Sequence, residues 1–206
     1  MLLEAWPTAA WAEVPQAEQY FLEGYKYQSG EEGVQNLNTA LKYYKKALEL
    51  DPELYQARFN KALIYYMREE YQAAYSEFRK VGNAVGTDNA PMASQVRNMM
   101  GICSQKMDKN GRAKKLFEDA IKLDPSQIEP HYNLINLLVG EESFEKARKR
   151  LEIAEVYAPT PRYEKFKGKI RGLESRAEWE SKEIKIAILG LAVVLTLYWA
   201  YKKFTA

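Results

Sequence analysis

The chain has 206 residues, 47% of them hydrophobic, with a formal net charge of +2, which suits one ordinary domain plus an appendage and leaves ample material for a core. That charge argues against a nucleic-acid polyanion partner and against an acidic substrate, because Lys202 and Lys203 supply the excess and residues 1–185 balance 28 basic with 28 acidic side chains. Cys103 is the only cysteine, so an intrachain disulfide and a thiolate metal cluster are both excluded, and a reducing compartment fits.

Residues 1–16 begin MLLEAWPTAAWAEVP. Glu4 and Pro7 interrupt the apolar run and the first basic residue is Lys26, unlike a secretory signal or an Arg-rich presequence. The segment reads as a short amphipathic or extended arm carrying Leu2, Leu3, Trp6 and Trp11.

From residue 17 onward the chain repeats itself. Ala113, Phe117, Ala120 and Pro125 stand 34 residues before Ala147, Leu151, Ala154 and Pro159, and Ala40, Tyr44 and Ala47 stand 34 before Ala74, Phe78 and Val81. Between these pairs the step from Ala74 to Ala113 is 39, so extra residues sit in the turn-rich stretch GNAVGTDNAPM. Leu41, Tyr44, Ala47 and Leu48 recur at three- and four-residue steps, one apolar stripe of a helix. Phe59, Ala62, Leu63 and Tyr66 do the same. No β-branched alternation suggests a strand. Small residues at Ala47, Ala62, Gly101, Ala113 and Ala147 are placed to let helix backbones approach.

These residues resemble the tetratricopeptide (TPR) family, with its large apolar residue, Leu-Gly, Tyr, Ala-x3-Phe, Ala and Pro. The resemblance divides the array, 17–161, into repeats at about 17–54, 55–88, 94–127 and 128–161. It implies an all-α fold, a right-handed superhelix of about four helix hairpins with a shared core and a concave side. Residues 162–183, RYEKFKGKIRGLESRAEWESKE, carry a partial apolar stripe amid charge and predict a capping helix that runs directly into the next segment.

Residues 186–201, IAILGLAVVLTLYWAY, contain no charge. Extended to 184–204, with Lys185, Lys202 and Lys203 at the interfaces, the segment would rise about 31 Å as a helix, close to a hydrocarbon core of roughly 30 Å. Tyr198, Trp199 and Tyr201 stand where an aromatic belt would. A C-terminal transmembrane helix is therefore expected, making the protein tail-anchored in a lipid bilayer. Arg171, Arg176, Lys182 and Lys185 favour a cytoplasmic array by their excess over Lys202 and Lys203.

Chemistry-bearing patterns are sparse. His131 is the only histidine, and neither a phosphate loop, a dinucleotide turn nor a Cys-x-x-Cys occurs. Glu31-Glu32, Glu69-Glu70 and Glu141-Glu142 fall in predicted turns and read as solvated surface. His131 reads as a packed core residue and Cys103 as a small buried one. No catalytic residue, metal ligand or cofactor is expected.

The family resemblance also implies a peptide-binding groove on a second stripe of each first helix. Carried onto this register, its lining is Phe59, Asn60, Leu63 and Tyr66 from repeat two, Asn98, Met99 and Ile102 from repeat three, and Tyr132, Asn133 and Asn136 from repeat four. Chaperone-binding members clamp a terminal carboxylate with Lys, Arg and Asn. Here Phe21, Tyr25, Gln95 and Met99 stand where that clamp would want Lys, Asn, Lys and Arg, so that ligand is disfavoured. The aromatic, aliphatic and amide lining suits an uncharged or amphipathic segment. The expected function is a membrane-anchored adaptor that recruits or assembles partner proteins. The alternative is a mitochondrial outer-membrane receptor for fission or import, since the layout resembles, in outline, the tail-anchored fission adaptors, whose N-terminal arm suggests that residues 1–14 fold against the array.

Overall fold

A computed structural model describes residues 15–30, 33 and 35–205, and the side chains of these except at 177, 179, 190 and 192–205. The N-terminal arm up to residue 14 lies outside the described residues. Among those described, all regular structure is α-helical: α1 (Gln16–Ser29), α2 (Leu37–Leu50), α3 (Tyr55–Met67), α4 (Tyr71–Val85), α5 (Ala90–Lys106), α6 (Asn110–Leu123), α7 (Ile128–Gly140), α8 (Phe144–Tyr157) and α9 (Arg162–Thr205).

The chain forms two compact units, Met1–Leu137 and Leu138–Ala206. In the first, packing is mainly sequential: α1 on α2, α2 on α3, α3 on α4, α4 on α5 and α5 on α6, with α1 also touching α3. In the second, α8 packs on α9.

The repeat pattern has a steric cause. A Cβ built on Gly24 of α1 would stand 2.7 Å from Tyr44 Cε1 of α2, and one on Gly101 of α5 would stand 2.5 Å from Phe117 Cε1 of α6. In these two hairpins an aromatic ring of the second helix packs so close to the backbone of the first that only hydrogen leaves room. The hairpin of α3 and α4 uses Ala62 and Phe78 at the same register, both fully buried. The rings Tyr44, Phe78 and Phe117 are all at 0% exposure, so they are the largest apolar payload of their hairpins.

The helix ends follow from local chemistry. Glu69, Asp108 and Glu142 adopt left-handed φ values of 63°, 57° and 56° in the turns after α3, α5 and α7. In each turn the next residue donates its N–H back over the helix end: Glu70 to Tyr65, Lys109 to Ser104 and Ser143 to Leu138, all at 2.9 Å. This satisfies carbonyls that the last helical turn leaves without partners. The recurring Asp-Pro pairs end α2 and α6 differently, since Asp51 Oδ1 accepts from Glu53 N at 2.9 Å and Asp124 Oδ1 from Ser126 N at 3.0 Å. At the other ends, Asn36 and Asn89 cap α2 and α5 through their side-chain oxygens. Because Asn89 caps and Pro91 sits in the first turn, α5 begins at Ala90, four residues ahead of the position 94 at which the spacing starts repeat three.

The C-terminal expectation is met only in part. Residues 184–205 are helical as the uninterrupted continuation of α9. Among the described residues, however, no helix is long and apolar enough to cross a membrane, so the transmembrane helix expected over 184–204 is not supported. Past Leu191 the side chains of that segment lie outside the described ones.

Candidate interaction face

The ten residues of the expected groove all fall in the first unit, on α3, α5 and α7. The structure does not treat them alike. Phe59 is 9% exposed and meets Phe78 edge-on, with ring centroids 5.3 Å apart. It belongs to the core between α3 and α4 rather than to a surface. Leu63, Tyr66 and Met99 each pack against that same core cluster and remain half-exposed. Tyr66 is held by Tyr71 of α4 at 5.7 Å between centroids.

The asparagines divide in a similar way. Asn98 is 5% exposed, and its Oδ1 accepts from Asn133 Nδ2 at 2.8 Å. That bond joins α5 to α7 and consumes one carbonyl that a ligand backbone would otherwise use. Asn60 lies against the Tyr44 hydroxyl, which donates to Gln28 Oε1 at 2.6 Å. Burial pushes the Tyr44 hydroxyl well above the usual tyrosine range, and the Asn60 bond offsets part of this. Ile102 and Tyr132 are half-exposed and Asn136 is exposed. Two further apolar residues outside those ten are exposed, Met67 of α3 at 49% and Tyr25 of α1 at 47%.

The remaining chemical candidates are buried. His131 is 1% exposed, with Nε2 3.0 Å from the Pro125 carbonyl oxygen. Cys103 is buried, and that burial pushes its thiol up to about 12, far from the range of a reactive thiolate. Among the described residues no group of three or more His, Cys, Asp or Glu side chains could hold a metal ion.

One polar constellation escaped the sequence reading. Glu77 of α4 is 9% exposed, and Arg58 and Lys61 of α3 reach it at 3.5 and 3.0 Å while Lys80 reaches it at 2.9 Å. Burial acts to raise its carboxyl, but the bonds from Lys80 and Lys61 outweigh that and hold it below the usual carboxylate range. The signal was present: Arg58 and Lys61 are three apart on one helix face, opposite a lone acid in the apolar stripe of the next helix.

Hairpins of this kind, stacked in sequence with a small residue under each aromatic ring, define a tetratricopeptide-type repeat array. Two family models, both described as tetratricopeptide repeat, match residues 106–170 and 33–54 and support that family. Solved structures support the fold. YrrB, a TPR protein with an unusual peptide-binding site, is 24% identical, with 69% of each chain covered and a TM-score of 0.55. PilF of Pseudomonas aeruginosa is 22% identical over 70% of this chain and 62% of its own, with a TM-score of 0.58. MamA is 19% identical over 69% and 78%, with a TM-score of 0.59. No curated protein matches the sequence.

Proposed function

We propose that the protein is a non-enzymatic scaffold that recruits partner proteins, binding an uncharged or amphipathic peptide segment along α3, α5 and α7. The observation that carries this reading is the chemistry of the exposed strip. Leu63, Tyr66, Met99, Ile102 and Tyr132 keep part of their surface in water, Met67 is 49% exposed, and none of them is charged. Such a strip offers apolar area to a partner and no counter-charge to an acidic or basic tail. The peptide-binding site named for YrrB supports a peptide as the ligand class.

The second half of the proposal is that residues 184–204 tether this scaffold to a bilayer, with the array on the cytoplasmic side. Ile184, Ile186, Ile188, Leu189 and Leu191 of α9 are 61–69% exposed, and at 100° per residue they spread over more than half of the helix circumference. So broad an exposed apolar surface, broken between 184 and 191 by Lys185 alone, favours an apolar solvent.

The test uses the full-length protein in its native membrane, with a photo-crosslinking amino acid at Met67, Met99 or, as a control on another helix, Lys115. The proposal expects the same partners from Met67 and Met99 and none from Lys115. Equal capture at all three positions would discard the strip as the working surface. Separately, a chain ending at Glu183 is expected to leave the membrane pellet on washing. If it stays, the tether lies elsewhere.

A further inference from the structure

The contact between α3 and α4 carries more positive charge than it neutralises. Three cations, Arg58, Lys61 and Lys80, converge on the one carboxylate of Glu77. The side chains of Glu77, Lys61 and Arg58 are only 11%, 13% and 17% exposed, so most of this charge stands out of water. One carboxylate balances one cation and leaves two over. Charges taken out of water are ordinarily paired, because an uncompensated one loses hydration and gains nothing in return.

Beside the cluster opens a cleft of about 360 Å³, lined by Pro52, Glu53, Arg58, Lys80, Asn83 and Ala84. Its donors are of several kinds. Arg58 presents a planar guanidinium, already fixed by donation to the Pro52 carbonyl. Lys80 brings an ammonium that is 52% exposed, and Asn83 is an exposed amide at the C-terminal end of α4. Guanidinium, ammonium and amide together make the donor set that grips a carboxylate or phosphate group. Glu53 is the one acidic side chain in the lining.

We propose that this cleft binds a single oxyanion, a carboxylate or phosphate group presented by a partner chain. The anion supplies the charge that Glu77 lacks, and the cleft is large enough to admit it without displacing Glu77. None of the residues involved lies on the exposed strip of Leu63, Tyr66 and Met99, so the array would hold a partner at two chemically distinct points. The apolar strip would take an uncharged stretch and the cleft an acidic one.

The experiment titrates inorganic phosphate, and separately acetate, into the full-length protein at constant ionic strength made up with chloride. Binding is followed through the side-chain amide resonance of Asn83 and the Nε resonance of Arg58. Phosphate is expected to shift both saturably. Lys80→Gln should weaken the midpoint about tenfold, one charge-assisted bond lost. Glu53→Gln, which removes the opposing charge from an exposed position, should tighten it several-fold, and Lys115→Gln should change nothing. Saturation by acetate as well as phosphate points to an acidic side chain as the source, and saturation by phosphate alone to a phosphorylated residue. Shifts that never saturate, that chloride reproduces, or that both Lys80→Gln and Glu53→Gln leave at the same midpoint overturn the proposal.

Discussion

Replacing Gly101 by alanine tests whether the ring-on-backbone contact organises the array. Alanine should favour a helix interior over glycine by about 1 kcal/mol, so on propensity alone Gly101→Ala would stabilise α5. The packing opposes this. The new methyl would lie 2.5, 2.7 and 3.1 Å from Phe117 Cε1, Cδ1 and Cζ, where carbon atoms prefer roughly 3.5–4.0 Å. Phe117 is at 0% exposure and has no solvent to swing into, so its ring and α6 must move by about 1 Å. Overpacking of that kind costs about 1–3 kcal/mol, and with three ring atoms involved the upper half of the range applies. The net expectation is a loss of about 1–2 kcal/mol, a fall in melting midpoint of roughly 2–8 °C for a chain of this size. Far-UV circular dichroism melts give the midpoint, and hydrogen exchange at α5 amides localises the effect. Gly111→Ala is the control, since a Cβ there meets nothing within 4 Å, and it should hold or gain stability. Adding Phe117→Leu to Gly101→Ala should show favourable coupling of about 1 kcal/mol or more. A Gly101→Ala protein as stable as the parent, or strict additivity with Phe117→Leu, would refute the steric account.

Three further outcomes are expected. Glu77→Gln leaves Arg58 and Lys61 facing a neutral group and should cost about 3 kcal/mol. Because the Glu77 carboxyl is held below its ordinary value of 4.5, its contribution is complete above that pH and disappears as pH falls through the folded value. Urea titrations between pH 7 and pH 3 should therefore show a shallower acid loss in Glu77→Gln than in the parent. The Cys103 thiol, pushed up to about 12 by burial, should resist a disulfide reagent at pH 8 in the folded protein and react at once in concentrated urea. Glu69→Gly should raise stability by about 0.5–1 kcal/mol, since glycine adopts the φ of 63° at Glu69 without the Cβ penalty that a glutamate bears there. A neutral or negative change in chemical denaturation would mean that the Glu69 side chain makes a compensating contact.

Much of the helical order was legible because the spacing records direct contacts. Gly24 with Tyr44, and Gly101 with Phe117, stand at corresponding places in their hairpins, and the steric demand at each is visible as a small residue followed by an aromatic one. The start of α5 at Ala90 was not legible because GNAVGTDNAPM reads as turn throughout, although Asn89 followed by Pro91 is a capping signal in its own right. The candidate interaction face was less legible. On a helix, residues four apart are offset by only about 40°, so Phe59, packed on the next helix, and Leu63, half-exposed, look equivalent in a stripe. What separates them is Phe78, which lies on the next helix and is invisible to a pattern read along α3 alone. The charge balance of residues 1–185 hid the Glu77 cluster for the same reason, because composition sums charges without saying which of them meet.

In the first unit most packing is between helices that follow one another in the chain, with α1 also touching α3 and α5 bonded to α7. Partners in each hairpin are therefore closed by short loops, and the entropy of bringing them together is small. Low contact order of this kind goes with fast folding. A nascent chain made from its N-terminus could complete α1 on α2, then α3 on that pair, before α5 existed. The ring of Tyr44 would already be seated on Gly24 when the residues around Glu77 were being added, so each hairpin would serve as the template for the next and little apolar surface would wait uncovered.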